Sequence, residues 1–462
     1  MKVIGKVVIF GTKLITINMK KFVTLAIIAT IVFSLNAQDA TTVVLLNYNS
    51  VKKKVDKSDA EIQDPKKSVK AATWQKRGEI YQDVFMIGLE QLTEGMDPTT
   101  VKLFYKEPNS TDSETIEGEL SETYIYDHMS YTFVNGALQD WKKLDPIADD
   151  PLRIATDAYK KALELDEKGK LTPKIKESLA ELKNQLKRDG VNYYYSESYD
   201  NALGSFENVL EINEMELFSG DMDTVMVQYS GIIAREIAAK TENKELYLKA
   251  IEYYQQLAEV DFGGPNTYLQ IKMDYMTIGD TLKALDILKE AYQKYPDTVN
   301  IIANIADTYI QLKQYDEGIE YMAGVIENNP TIPESFYWNG RLLINKEDIE
   351  FIDKAIESYK KSAELDPTIY YVWYDVGYIY YLQGADFYDR SNTEEHDATR
   401  VKLIELGKEK YMEAIPVLEK AYELNDENST VKFETLDLLQ RIYYKEQMME
   451  QYERVKELKT TM

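Results

Sequence analysis

The sequence predicts an all-α fold of about seven stacked helical hairpins, closed by a C-terminal capping pair. Three observations predict it. Pro296 and Pro330, each ending a helical stretch, lie 34 residues apart, and Tyr275/Tyr309 and Ala284/Gly318 keep the same step. Stretches of one design recur: KALDILKEAYQKYP up to Pro296, DEGIEYMAGVIENNP up to Pro330 and KAIESYKKSAELDP up to Pro367. Composition supplies a core without a large globular interior, with 44% hydrophobic and 29% charged residues, and 36 Tyr against 13 Phe and 4 Trp. A Tyr ring packs while its hydroxyl reaches water, which suits a thin stack in which few residues are deeply buried.

Residues 1–37 are expected to be an upstream extension followed by a signal peptide. From Met19 the chain reads MKKFVTLAIIATIVFSLNAQDA, with Lys20 and Lys21 leading an uncharged run from Phe22 to Leu35 and Asn36-Ala37 before Gln38. That is the layout of a secretory signal. The run is shorter than the roughly 20 apolar residues a membrane-spanning helix needs. Leu35 is larger than cleavage prefers at its position, so a retained anchor stays open beside a cleaved signal. Met19 is expected to be the true start. The expectation is export to the periplasm or cell envelope of a Gram-negative bacterium, with no membrane insertion after signal cleavage. With no cysteine in the chain, disulfides, thiolate metal sites and an acylated lipoprotein N-terminus are excluded.

Residues 38–70 read as a polar leader in which Asn49 to Ile62 form a helix ending before Asp64-Pro65. Residues 71–166 hold the first hairpin, opened by Trp74, Gly78 and Tyr81 and completed by Ala155, Tyr159 and Ala162. The long interval between them is an insertion at about 89–150. Its polar stretch, Glu107 to Glu119, reads as a loop, and its aromatic part, with Tyr124, Tyr126, Tyr131, Phe133 and Trp141, reads as helical. Residues 167–430 carry units two to seven, the seventh interrupted at about 384–408. Residues 431–462 are the capping helices.

These residues resemble the tetratricopeptide repeat family. Its pattern places an aromatic, a Gly and a Tyr on a first helix, then Ala, an aromatic and Ala on a second, with a closing Pro. Small residues let two helices approach, large ones fill the gap, and Pro ends the second helix. The resemblance covers about 350 residues and implies a right-handed α-solenoid that binds other proteins. The long insertions, and the missing Pro in units one to three and seven, depart from the pattern. The Asn-Ala-Gln end of the signal, and Asp-Thr-Val at 223–225 and 297–299 with Asp-Thr-Leu at 280–282, resemble features of exported Bacteroidetes proteins, the triplets being read there as O-glycosylation sequons. The same triplets suit helix caps equally.

Chemistry is sparse. Net charge is −25, which repels nucleic acid and anionic lipid. There is no GxxxxGK[ST] or GxGxxG loop, so no cofactor is expected. The two histidines, His128 and His396, fall in the insertions, and a His-based triad or multi-His zinc site is hard to build from them. Glu394-Glu395-His396-Asp397 is where a metal-dependent hydrolase could be drawn, but the segment suits a solvated inter-helix loop better. The chain reads as non-enzymatic.

Function then falls to the solenoid groove, which the resemblance lines with first helices. Translated to this chain, the groove positions are Tyr371, Tyr374, Asp375, Tyr378 and Tyr381, then Tyr337, Trp338 and Arg341, then Asn300, Asn304 and Asp307, with Lys187, Arg188 and Tyr194 toward the other end. The four tyrosines form one helical stripe, which reads either as core packing or as an aromatic wall for a peptide or sugar. The leading expectation is an exported scaffold with a protein or peptide partner. The alternative is a glycan-binding envelope component. The lysines of a clamp for a chaperone's C-terminal carboxylate are missing beside Asn300 and Asn304.

Overall fold

The computed structural model describes residues 46–460 except 117, 219, 221, 347–348 and 427–428. The expected signal segment lies outside the described residues. The chain divides into two compact units, which meet in sequence at Gly263 and Gly264. Among the described residues there are 18 α-helices and one four-stranded sheet. None of those helices is long and apolar enough to cross a membrane.

In the unit ending at Gly263, α1 (Tyr48–Gln63) opens on Asn47, whose side chain accepts the Ser50 amide. It buries Val51, Val55 and Ser58 and packs against α2 (Ala71–Met86). An ion pair of 2.6 Å joins Arg77 of α2 to Asp59 of α1. The partner of α2 is α4 (Pro151–Leu165), although the insertion separates them in sequence. Gly78 makes that packing possible, because a Cβ there would lie 2.5 Å from the Tyr159 ring. The same device recurs. Gly190 of α5 (Thr172–Tyr195) receives Phe206 of α6 (Tyr199–Asn213), and Gly231 of α7 (Thr224–Thr241) receives Tyr254 of α8 (Lys244–Glu259).

The insertion differs from expectation. After α3 (Pro98–Tyr105) it forms β1 (Ser110–Ile116), β2 (Glu119–Ile125), β3 (Met129–Val134) and β4 (Ala137–Lys143), an antiparallel sheet in the order β1-β2-β3-β4. Neither a polar loop nor an aromatic helix is present there. The physical reason is period-two alternation: Met129, Tyr131 and Phe133 are buried on one face, and Asn135-Gly136 follows with φ of 52° and 78°. Asn-Gly with both residues at positive φ makes the tight turn that matches the twist of paired strands.

The unit from Gly264 runs as α9 (Pro265–Thr277) with α10 (Thr281–Lys294), α11 (Val299–Leu312) with α12 (Tyr315–Asn328), and α13 (Pro333–Ile344) with α14 (Ile349–Leu365). It continues as α15 (Tyr370–Thr393) with α16 (Asp397–Leu424), then α17 (Ser429–Lys445) with α18 (Met449–Thr460). Gly340 receives Tyr359 and Gly377 receives Leu418. The residues around 384–408 are no separate insert. They lengthen α15 and α16, leaving only 394–396 between the helices. Asp223 and Asp280 cap α7 and α10 by accepting the amides of Met226 and Lys283. Thr298 stands at the start of α11.

Candidate functional site

The first helices of the second unit carry charge in register. Asp307 on α11, Arg341 on α13 and Asp375 on α15 follow one another at 34-residue steps. Lys272 on α9 precedes them, within electrostatic reach of Asp307. Signs therefore alternate along the row. Arg341 and Asp375 form its best-defined step: Nη1 lies 3.9 Å from Oδ2, and each side chain is only 12% exposed. Arg341 Nη1 also donates to the Tyr337 hydroxyl at 3.3 Å. Two atoms of the pair stay unused, since Arg341 Nε and Asp375 Oδ2 have no hydrogen-bond partner. Burial raises the Asp375 carboxyl above its ordinary value, while Arg341 acts to lower it.

Aromatic rings surround this pair. Tyr337 lies 4.7 Å from Tyr371, edge-on, and 5.5 Å from Trp338. Tyr374 and Tyr378 stack at 6.1 Å, and Tyr381 stacks on Tyr411 at 5.6 Å. The stripe is split between the two readings. Tyr337 and Tyr374 are buried in the core, and Tyr374 donates to Glu434 of α17 at 3.2 Å. Tyr371, Tyr378, Tyr381 and Trp338 pack on that core but stay partly exposed.

The other expected positions are placed differently. Asn304 donates to the Asn300 carbonyl and Gln311 to Asp307, so these polar groups spend hydrogen bonds within α11. Arg188 and Tyr194 are not offered to a groove. The Arg188 guanidinium donates to the carbonyls of Leu89 and Leu92 at 3.1 and 2.9 Å and lies 4.7 Å from the Trp141 ring. It is an internal tie between α5 and the insertion, because a buried guanidinium must satisfy its donors. Tyr194 is buried against Tyr199, and Lys187 pairs with Asp223 at 2.9 Å. His396 stands at the start of α16, its amide donating to Glu394. Among the described residues no group of three or more His, Asp or Glu is placed to hold a metal ion. Lys272 and Glu434 were not read from the sequence as part of this cluster; the 34-residue step back from Asp307 lands on Met273, beside Lys272.

Comparison with known proteins finds the repeat in sequence. The tetratricopeptide repeat family model matches residues 278–334, across α10, α11 and α12. Human tetratricopeptide repeat protein 21A is 26% identical over 160 residues, covering 31% of this chain and 12% of that protein. The Drosophila melanogaster BBSome complex member BBS4 homolog is 20% identical over 278 residues, covering 57% of this chain and 54% of that protein. The chain thus spans about half or less of the length of these curated relatives. Among solved structures, a TPR repeats protein from Bacteroides fragilis aligns at 18% identity with a TM-score of 0.31, covering 55% of this chain and 97% of that one. The 34-residue register, a glycine facing a bulky side chain in hairpin after hairpin, and a family model seated on residues 278–334 identify tetratricopeptide repeats in this chain.

Proposed function

We propose that the chain is an exported, non-enzymatic scaffold that binds a protein partner along the first helices of its second unit, centred on Arg341 and Asp375. One observation carries the reading: a nearly buried ion pair retains an unused donor and an unused acceptor beside half-exposed rings. Unsatisfied polar atoms at such depth are costly unless a ligand supplies partners. Both atoms are closed off from solvent, so a peptide group reaches them only where the rings of Tyr371, Tyr378 and Trp338 move aside, its carbonyl then accepting from Arg341 Nε and its N–H donating to Asp375 Oδ2. Membership of the named relative in a multiprotein complex supports a protein partner. The segment from Met19 to Ala37 supports export, and the lack of nucleotide and metal motifs supports a non-catalytic role.

The test is affinity capture from the native envelope with the wild-type chain and with Arg341→Glu, followed by mass spectrometry. A specific set of proteins lost in the variant is the expected result. Identical captures from both chains overturn the site. Terminal sequencing of the mature protein should begin at Gln38, and residues found ahead of it would sink cleavage there.

A further inference from the structure

The two edges of the inserted sheet are treated differently. On the outer side of β4, Leu138 exchanges hydrogen bonds with the turn at Gly95 and Met96, at 2.8 and 2.9 Å. Trp141 is bracketed in the same way by the Asn192 carboxamide, at 2.9 and 3.0 Å. That edge is closed. At the opposite edge β1 pairs with β2 continuously from Ser110 to Ile116, without a bulge, and among the described residues nothing pairs with its outer side. Residues 110–115 are exposed on both faces. A regular, exposed strand edge presents a row of free amides and carbonyls, a template for one more strand.

The charge around this edge is of one sign. From Glu107 to Asp127 there are seven carboxylates and no Lys or Arg. Lys102 pairs with Glu107 at 2.9 Å, but among the described residues Asp112, Glu114 and Glu119 have no ion-pair partner. Asp112 and Glu114 stand two residues apart, so both point to one face. The register sets Asp112 opposite Thr123, which in turn faces Thr132, so this is the face away from buried Tyr131 and Phe133.

We infer that β1 is a docking edge for an extended protein segment bearing Lys or Arg at alternate positions. Main-chain pairing with β1 supplies the affinity, and side chains opposite Asp112 and Glu114 supply the selection. Two other occupants fit less well. A second copy paired antiparallel about Ser113 would set Asp112 of one chain against Glu114 of the other, a like-charge opposition. The segment preceding α1 in this chain, residues 38–46, carries one acid and no base. This edge is independent of the Arg341 site.

The test uses the full chain and a labelled nine-residue peptide of alternating lysine and threonine, capped at both ends. Saturable binding by fluorescence anisotropy is expected, with slowed hydrogen exchange across residues 110–116. The Asp112→Lys/Glu114→Lys double variant should bind at least tenfold more weakly. So should the same peptide N-methylated at every residue, which keeps its charge but has no amide left to donate to β1. Arg341→Glu should leave binding unchanged. No saturable binding overturns the inference. So does equal binding of the N-methylated peptide, which would mean attraction by charge alone. Protection confined to residues outside 110–116, or equal binding of a glutamate–threonine peptide, overturns it as well.

Discussion

Gly384 and Gly407 lie back to back where α15 crosses α16. A Cβ on Gly384 would stand 3.1 Å from the Gly407 carbonyl oxygen, and one on Gly407 would stand 3.2 Å from that of Gly384. The rings of Tyr411 and Tyr388 close over the crossing. Alanine at Gly384 gains up to about 1 kcal/mol of helix propensity. It also forces backbone apart, and overpacking of that kind costs about 1–3 kcal/mol. Gly384→Ala should therefore lower the melting temperature. Gly204→Ala, on the exposed face of α6 with nothing within 4 Å, should raise it.

Arg188 ties the insertion to α5, and its replacement should release that tie. Arg188→Ala removes the donor of the Leu92 carbonyl and one of the two donors of the Leu89 carbonyl, and uncovers Trp141, for an expected loss of about 2–4 kcal/mol. Arg188→Lys should not restore it, because an ammonium cannot reach both carbonyls and stack on an indole. A chemical melt followed by Trp fluorescence reads the loss, and hydrogen exchange should quicken first in β4.

Asp189 predicts a pH dependence. Burial pushes its carboxyl up to about 7, and the Ser205 hydroxyl acts against that shift. An unfolded Asp titrates near 3.9. Between these values the folded chain holds a proton that the unfolded chain has released, so this group makes stability fall as pH rises from about 4 to about 7. Asp189→Asn should match the wild type near pH 4 and exceed it at pH 8 by roughly 1–3 kcal/mol. Denaturant melts at both pH values check the sign. A wild type that is the more stable at pH 8 rules the assignment out.

Asp223 decides between cap and sequon at 223–225. It accepts the Met226 amide and pairs with Lys187. Asp223→Ala should cost about 1–2 kcal/mol, whereas Asp223→Asn, which retains the accepting oxygen, should cost a few tenths. Intact mass of chain purified from its native host reads the other possibility directly, since a glycan adds mass that both variants would lack.

Most hairpins were legible because they advertise themselves twice. A glycine on one helix and a bulky residue on the next are spaced so that one admits the other, as Gly190 admits Phe206 and Gly340 admits Tyr359. The sheet was read wrongly although its strongest signal was in plain view. Met129 to Val134 alternate and run into Asn135-Gly136, but helical sequence on both sides drew the aromatics into a helical reading. Asp307, Arg341 and Asp375 were legible one by one as groove positions, while the alternation of charge along their row emerges only with Lys272 in the structure. Which tyrosines of the stripe would be buried was not legible, because burial on a first helix depends on the neighbouring hairpin: Glu434 of α17 reaches Tyr374 and leaves Tyr378 half open. Arg188 had no local signal at all, since its partners lie about a hundred positions earlier.

Placing a sheet between α2 and α4 also affects how the chain folds. Most hairpins here close over a few residues, but the Gly78–Tyr159 contact must close over the whole insertion. The chain between Gly78 and Tyr159 is about five times longer than that between Gly190 and Phe206, and closing it costs roughly 1.4 kcal/mol more in entropy. Formation of β1 to β4 shortens that span before the helices meet. The meander therefore acts as a splint, and the first hairpin should be the last to assemble, after a sheet whose own contacts are nearly all local.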